Sequence, residues 1–122
     1  MRKGEFLSKE DILKQEDLVY EEVECPEWGG KVRIKTMTGL ERDNFEASLF
    51  EGKTGSEKAN LRNLRAKLLS LCLVDKEGKR LFGDREVDAL GAKSAKALDR
   101  LYDAAQKLNA IGAKDVDDLT KN

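Results

Sequence analysis

The sequence predicts an α+β fold, mostly helical, with about four to five helices around a central one and a single antiparallel β-hairpin near the N-terminus. Two observations carry this. The stretch over about 59–74, ANLRNLRAKLLSLCLV, repeats Leu61, Leu64, Leu68 and Leu71 at helical spacing, and Leu69, Cys72, Leu73 and Val74 carry its apolar surface nearly all round the second half. Over about 18–37 the pattern changes to period two around a Pro-Glu-Trp-Gly-Gly turn. A helix apolar all round has to be buried, so the rest of the chain is expected to pack on it. Arg62, Arg65 and Lys67 keep its first half wet.

Taken in order, Ser8 reads as an N-cap with Asp11 in the capping-box position, and Leu7 and Ile12 stand where a hydrophobic staple would form. A short helix follows over about 9–15, which must dock or fray because so short a helix is marginal in water. In the hairpin, Val23 and Cys25 share one face of the first strand, and Val32, Ile34 and Thr36 one face of the second. Glu22 and Glu24 then point outward opposite an outward set of Lys31, Arg33 and Lys35, so opposite charges can pair across the strands. Thr38 and Glu41 form a second capping box, and its helix should run to about Glu51 with Phe45 and Leu49 inward. Residues 52–58 read as an exposed linker.

After a polar turn at 75–80, Leu81 and Phe82 should return to the core. Asp84 is placed to cap a short helix with Val87 and Leu90 inward, closed by Gly91. The last helix, about 94–109, carries Leu98, Leu101, Tyr102, Ala105 and Leu108 as one stripe and leaves Lys96, Asp99, Arg100, Asp103 and Lys107 in water. One domain over 1–122 is expected, with loosely ordered ends at about 1–6 and 113–122.

Composition narrows the function classes. Of the residues, 39% are charged, yet 23 basic against 24 acidic side chains leave a net charge of -1, so no global field favours nucleic acid or a membrane surface. The longest apolar run, near Leu68 to Val74, is far too short to span a bilayer, and no signal-peptide core follows the first residues. Cys25 and Cys72 read as reduced thiols in a cytoplasm, and with no histidine a zinc site of the usual kind is nearly excluded. Ser8, Ser48, Ser56, Ser70 and Ser94 likewise have no histidine to activate them. Gly52-Lys53-Thr54 resembles the end of a phosphate-binding loop, but Ala47 stands where its first glycine belongs and a helix is predicted where a strand should precede it. Clustered carboxylates at Glu21, Glu22 and Glu24, and at Asp115, Asp117 and Asp118, lack calcium-loop spacing and read as solvated faces. No cofactor, metal or catalytic residue is indicated.

Several stretches in order nevertheless look familiar. Phe6-Leu7-Ser8-Lys9-Glu10-Asp11-Ile12-Leu13, Glu21 to Arg33 around Cys25-Pro26-Glu27-Trp28-Gly29-Gly30, and Thr38-Gly39-Leu40-Glu41-Arg42-Asp43 resemble the tail assembly chaperones of long-tailed, siphovirus-type bacteriophages and prophages. Leu73-Val74-Asp75, Gly78, Leu81-Phe82 and Leu90-Gly91-Ala92-Lys93-Ser94-Ala95 continue the likeness over nearly the whole chain. The resemblance implies a non-enzymatic factor of the bacterial host cytoplasm, absent from the mature virion. Such a factor binds the tape-measure protein and helps recruit major tail tube subunits. It also implies a frameshifted longer form as a further partner, this chain being the short form, and a homo-oligomer is compatible with it. The alternative reading is a small regulatory or nucleic-acid-binding adaptor using the basic side of the hairpin and the start of the central helix. Partner-binding residues are expected at Trp28, Arg33, Arg62 and Arg65. For Trp28, at the hairpin tip, two readings stay open: an interface residue, or an indole folded back over Val23, Val32 and Ile34.

Overall fold

The computed structural model describes residues 5–50 and 61–110. The expected linker at 52–58, the tail at 113–122 and the first residues of the central stretch lie outside them. Among the described residues the fold is α+β, with five α-helices and a three-stranded antiparallel sheet. The helices are α1 (Lys9–Lys14), α2 (Gly39–Ser48), α3 (Leu64–Cys72), α4 (Val87–Gly91) and α5 (Ala95–Leu108). The strands are β1 (Tyr20–Cys25), β2 (Gly30–Lys35) and β3 (Leu73–Val74), in the order β1-β2-β3.

The hairpin forms where period two predicts it. Val23 faces Val32, while Glu22 faces Arg33 and Glu24 faces Lys31. Lys31 Nζ reaches diagonally to Glu22 Oε1 at 2.8 Å, an exposed pair that aids register more than stability. The turn is a single 3₁₀ turn, Pro26–Trp28, ended by Gly29 in the left-handed region at φ 73°, where a side chain would be strained. One outward residue departs from the alternation. Lys35 is only 5% exposed, because its ammonium pairs with Glu41, the same carboxylate that closes the α2 capping box.

The central helix is shorter than its leucine pattern at both ends. Asn63 sits at φ 60°, a left-handed conformation that cannot continue a helix, so α3 begins at Leu64 and Leu61 is left 42% exposed. At the other end Leu73 and Val74 leave the helix and pair with Ile34 and Arg33, making the third strand. Nothing in the apolar run distinguishes its last two residues as strand, since a fully buried helix turn and a buried strand look alike in sequence. The interior of α3 is as expected: Ala66, Leu68, Leu69 and Cys72 are fully buried, with Leu71 nearly so.

Around it pack Phe45 of α2, with Leu49 just after that helix, Leu90 of α4, and Ala97, Leu98, Leu101 and Ala105 of α5. Tyr102 and Leu108 complete the α5 stripe at its half-buried margin. Helix α2 stops at Ser48 instead of near Glu51. Leu81 is exposed, since the return from the turn at Asp75 to Lys79 is anchored through its backbone N–H to Leu73 O at 3.1 Å, and only Phe82 packs inward. Gly83, not Asp84, starts the next segment: its N–H donates to Glu86 Oε1 at 2.8 Å and a 3₁₀ turn, Asp84–Glu86, leads into α4. Gly91 is the last residue of α4, with Ala92 as its C-cap, and it is required there because a Cβ would run into the Asn63 side chain.

Helix α1 has both halves of its capping box, Asp11 N–H to Ser8 Oγ at 3.1 Å and Ser8 N–H to Asp11 Oδ2 at 3.0 Å. It ends at Lys14 and buries no residue. Leu7 and Ile12 are both exposed, so the expected staple buries neither.

Candidate partner-binding surface

Two polar clamps fix the outer surfaces. The first holds the hairpin tip to α5: Glu27 receives both Arg100 Nε and Nη2 at 2.9 Å, a bidentate arrangement. That donation, more than any other influence, holds the Glu27 carboxyl down at about 2. The second gathers the ends of β2, α2 and α5. Asn109 Oδ1 accepts Met37 N–H at 2.7 Å, its Nδ2 donates to Ala105 O at 2.9 Å and to Cys72 Sγ at 3.6 Å, and Lys35 meets Glu41 alongside. Burial pushes the Cys72 thiol up to about 12, so it is a packing group with no reactive thiolate. Cys25 is fully buried as well.

Trp28 follows Glu27 and is half-buried, packing one side on the main apolar cluster and leaving the rest in water. Arg33 lies elsewhere, its guanidinium 4.3 Å from the Tyr20 ring centroid and its Nη1 donating to Lys76 O at 2.6 Å. Arg65 is exposed on α3 and paired with Asp99 of α5. Arg62, just before α3, is exposed and borders a groove. Of the four expected binding residues, Arg62 alone lines the groove, while Arg33 is engaged by Tyr20 and Lys76 O and Arg65 is paired with Asp99.

The sequence does not announce this groove. It holds about 720 Å³ between α2, α3 and α4, with Phe45, Leu71 and Val87 among its apolar lining. Arg62, Lys67, Arg80 and Arg85 stand in the lining beside Glu41, Asp84 and Asp88. Lys67 Nζ donates to Ser48 O at 3.3 Å, Arg80 Nε to Ser70 O at 2.9 Å, and Arg80 Nη2 pairs with Asp84 at 3.0 Å. Asn63 Nδ2 donates to Asp88 Oδ1 at 2.9 Å. Such a lining suits a polypeptide with apolar and charged side chains together. Among the described residues no cluster of His, Cys, Asp or Glu could hold a metal ion, and no helix is long and apolar enough to cross a membrane. The groove escapes sequence reading because its lining comes from segments far apart in the chain, with only Arg62 singled out beforehand.

The sequence model of the phage tail assembly chaperone family matches residues 9–122. The chain belongs to that family. Its fold also matches a solved structure, the bacteriophage HK97 tail assembly chaperone, with a TM-score of 0.56 and 17% identity over 82% of this chain and 86% of that one. At that identity the likeness is one of fold. No curated protein matches the chain. Beside the fold, the described surface carries exposed apolar side chains before β1 and a groove lined by charged residues.

Proposed function

We propose that this chain is a non-enzymatic chaperone that binds the tape-measure protein and helps recruit tail-tube subunits while the tail is built. The observation that carries the reading is the family match over residues 9–122. Physical features support it. A long apolar helix has to be covered and later released, and a surface of exposed apolar side chains interleaved with charges of both signs does this without binding irreversibly. Phe6, Ile12, Leu13 and Leu40 are such side chains, beside Lys9, Glu10, Asp11 and Lys14. In this reading the protein works in the bacterial host cytoplasm and leaves before the virion is complete, and a frameshifted longer form carries the tube contact. Arg62 at the groove edge, Arg33, Arg65 and the exposed part of Trp28 contribute to partner binding.

The test is co-expression of the tagged chain with tape-measure and tube proteins, followed by affinity capture at low and moderate salt and native mass measurement. Retention of the tape-measure protein at both salt levels is expected. Capture of neither protein contradicts the proposal. So does capture of nucleic acid that falls steeply with salt, the mark of phosphate-driven binding.

A further inference from the structure

One edge of the sheet is open. In the order β1-β2-β3, β2 is paired on both sides and Val74 of β3 bridges to Arg80, while β1 has a partner on one side only. Thr36 N–H donates to Val19 O at 2.9 Å. From that pair the antiparallel ladder turns the N–H and C=O of Glu21, Val23 and Cys25 toward β2, and those of Tyr20, Glu22 and Glu24 away from it. Among the described residues no hydrogen bond from another element reaches these six outward groups.

An open edge is a template for a further strand, and such edges are commonly blunted by lysine, proline or a bulge. β1 has none of these: its pairing with β2 is continuous, three of its six residues are glutamate and none is basic. Glu22 is matched by Lys31, but Glu21 and Glu24 make no ion pair among the described residues. Pairing β1 with β1 of a second copy would crowd two sets of these carboxylates along one seam, so the glutamates turn away a like strand and favour a basic one. β2 already shows the complement, with Arg33 opposite Glu22, Lys31 opposite Glu24 and Val32 opposite Val23 between them.

We propose that β1 receives an extended segment of another protein as a fourth, antiparallel strand. Lysine or arginine at alternate positions faces Glu22 and Glu24, and apolar residues between them lie beside Val23. Main-chain hydrogen bonds to Tyr20, Glu22 and Glu24 supply affinity, and the carboxylates select the sequence. This contact rests on the chaperone reading only in that its ligand is a polypeptide, and its chemistry is the same whichever protein supplies the strand.

Amide hydrogen exchange followed by NMR tests it on the full chain, titrated with a short synthetic peptide that alternates lysine and valine. No tail protein is present, so failure here is separate from failure to capture the tape-measure protein. The amides of Tyr20, Glu22 and Glu24 should exchange quickly in the free chain and slow by about tenfold or more with peptide bound, while those of Glu21 and Val23, already paired with β2, change little. The same peptide methylated on the backbone nitrogen of each lysine keeps its charge but loses those donors, and should bind at least about tenfold more weakly. Glu22→Gln combined with Glu24→Gln should weaken the unmethylated peptide by about tenfold or more. The peptide comparison uses the parent chain and decides the matter even if the double variant melts early. No binding of the lysine–valine peptide, equal binding of its methylated form, or binding that leaves the three amides unprotected overturns the proposal. Protection of those amides before peptide is added would mean that a second copy or the chain's own residues 111–122 already cover the edge, and overturns it as well.

Discussion

Leu68→Ala and Leu61→Ala, made as a pair, test where the central helix begins. Leu68 is 0% exposed and Leu61 is 42% exposed, although the two occupy equivalent places in the leucine repeat. Truncating a fully buried leucine removes its transfer free energy and leaves a cavity that collapses only in part, together about 3 to 4 kcal/mol. The same change at Leu61 loses a side chain that water already reaches and opens no enclosed cavity, so about 0.5 kcal/mol is expected. At about 4 °C per kcal/mol for a domain of this size, the first variant should melt about 12 to 16 °C below the parent and the second within about 2 °C. Thermal denaturation followed by far-UV circular dichroism reads both. Equal losses at the two positions would mean that the helix runs unbroken through Asn63, and would refute the left-handed residue placed there.

Trp28→Ala should lower stability by about 2 to 3 kcal/mol, less than a wholly enclosed ring, because the indole is half-buried on the apolar cluster; unchanged melting would return the residue to the interface reading. Glu27→Gln should flatten the acid limb of the stability curve. Its carboxyl is held from 4.5 down to about 2 by Arg100, so that stability is present above about pH 4.5 and is lost as pH falls toward 2. Denaturant titrations at steps of pH compare the slopes, and identical slopes would sink the clamp. Gly91→Ala should destabilise by about 1 to 3 kcal/mol through its clash with Asn63, and Asn63→Gly should recover part of the loss in the double variant; additive losses would contradict that contact. Neither Cys25 nor Cys72 should react with a thiol reagent at pH 8 until the protein unfolds, since both are buried.

Local rules carried the reading wherever one segment decides its own conformation. The Ser8 and Thr38 capping boxes form as their spacing requires, and the charges of β1 and β2 fix the register that sets Glu24 opposite Lys31. The family likeness was legible because turn residues and apolar positions recur in a fixed order along the chain. The departures arise where distant segments decide. Leu73 and Val74 become a strand only because β2 offers a free edge beside them. Lys35 is buried because Glu41 awaits it, and a period-two pattern contains no information about a partner on the next helix. Gly91 reads as a helix stop, yet its lack of a side chain is used by Asn63, 28 positions earlier by the numbering. The groove depends on three helices meeting, which periodicity within any one of them cannot show.

The chaperone role is tested most directly by the soluble yield of the tape-measure protein when it is expressed alone, with this chain, or with the Leu68→Ala variant. Alone, its long apolar helical surface should drive it into the pellet; with the parent chain it should become soluble and co-sediment as one complex, and with the variant it should fall back in proportion to the folded fraction. Tape-measure protein equally soluble in all three cultures, or equally insoluble in all three, would contradict a chaperone that acts by covering it.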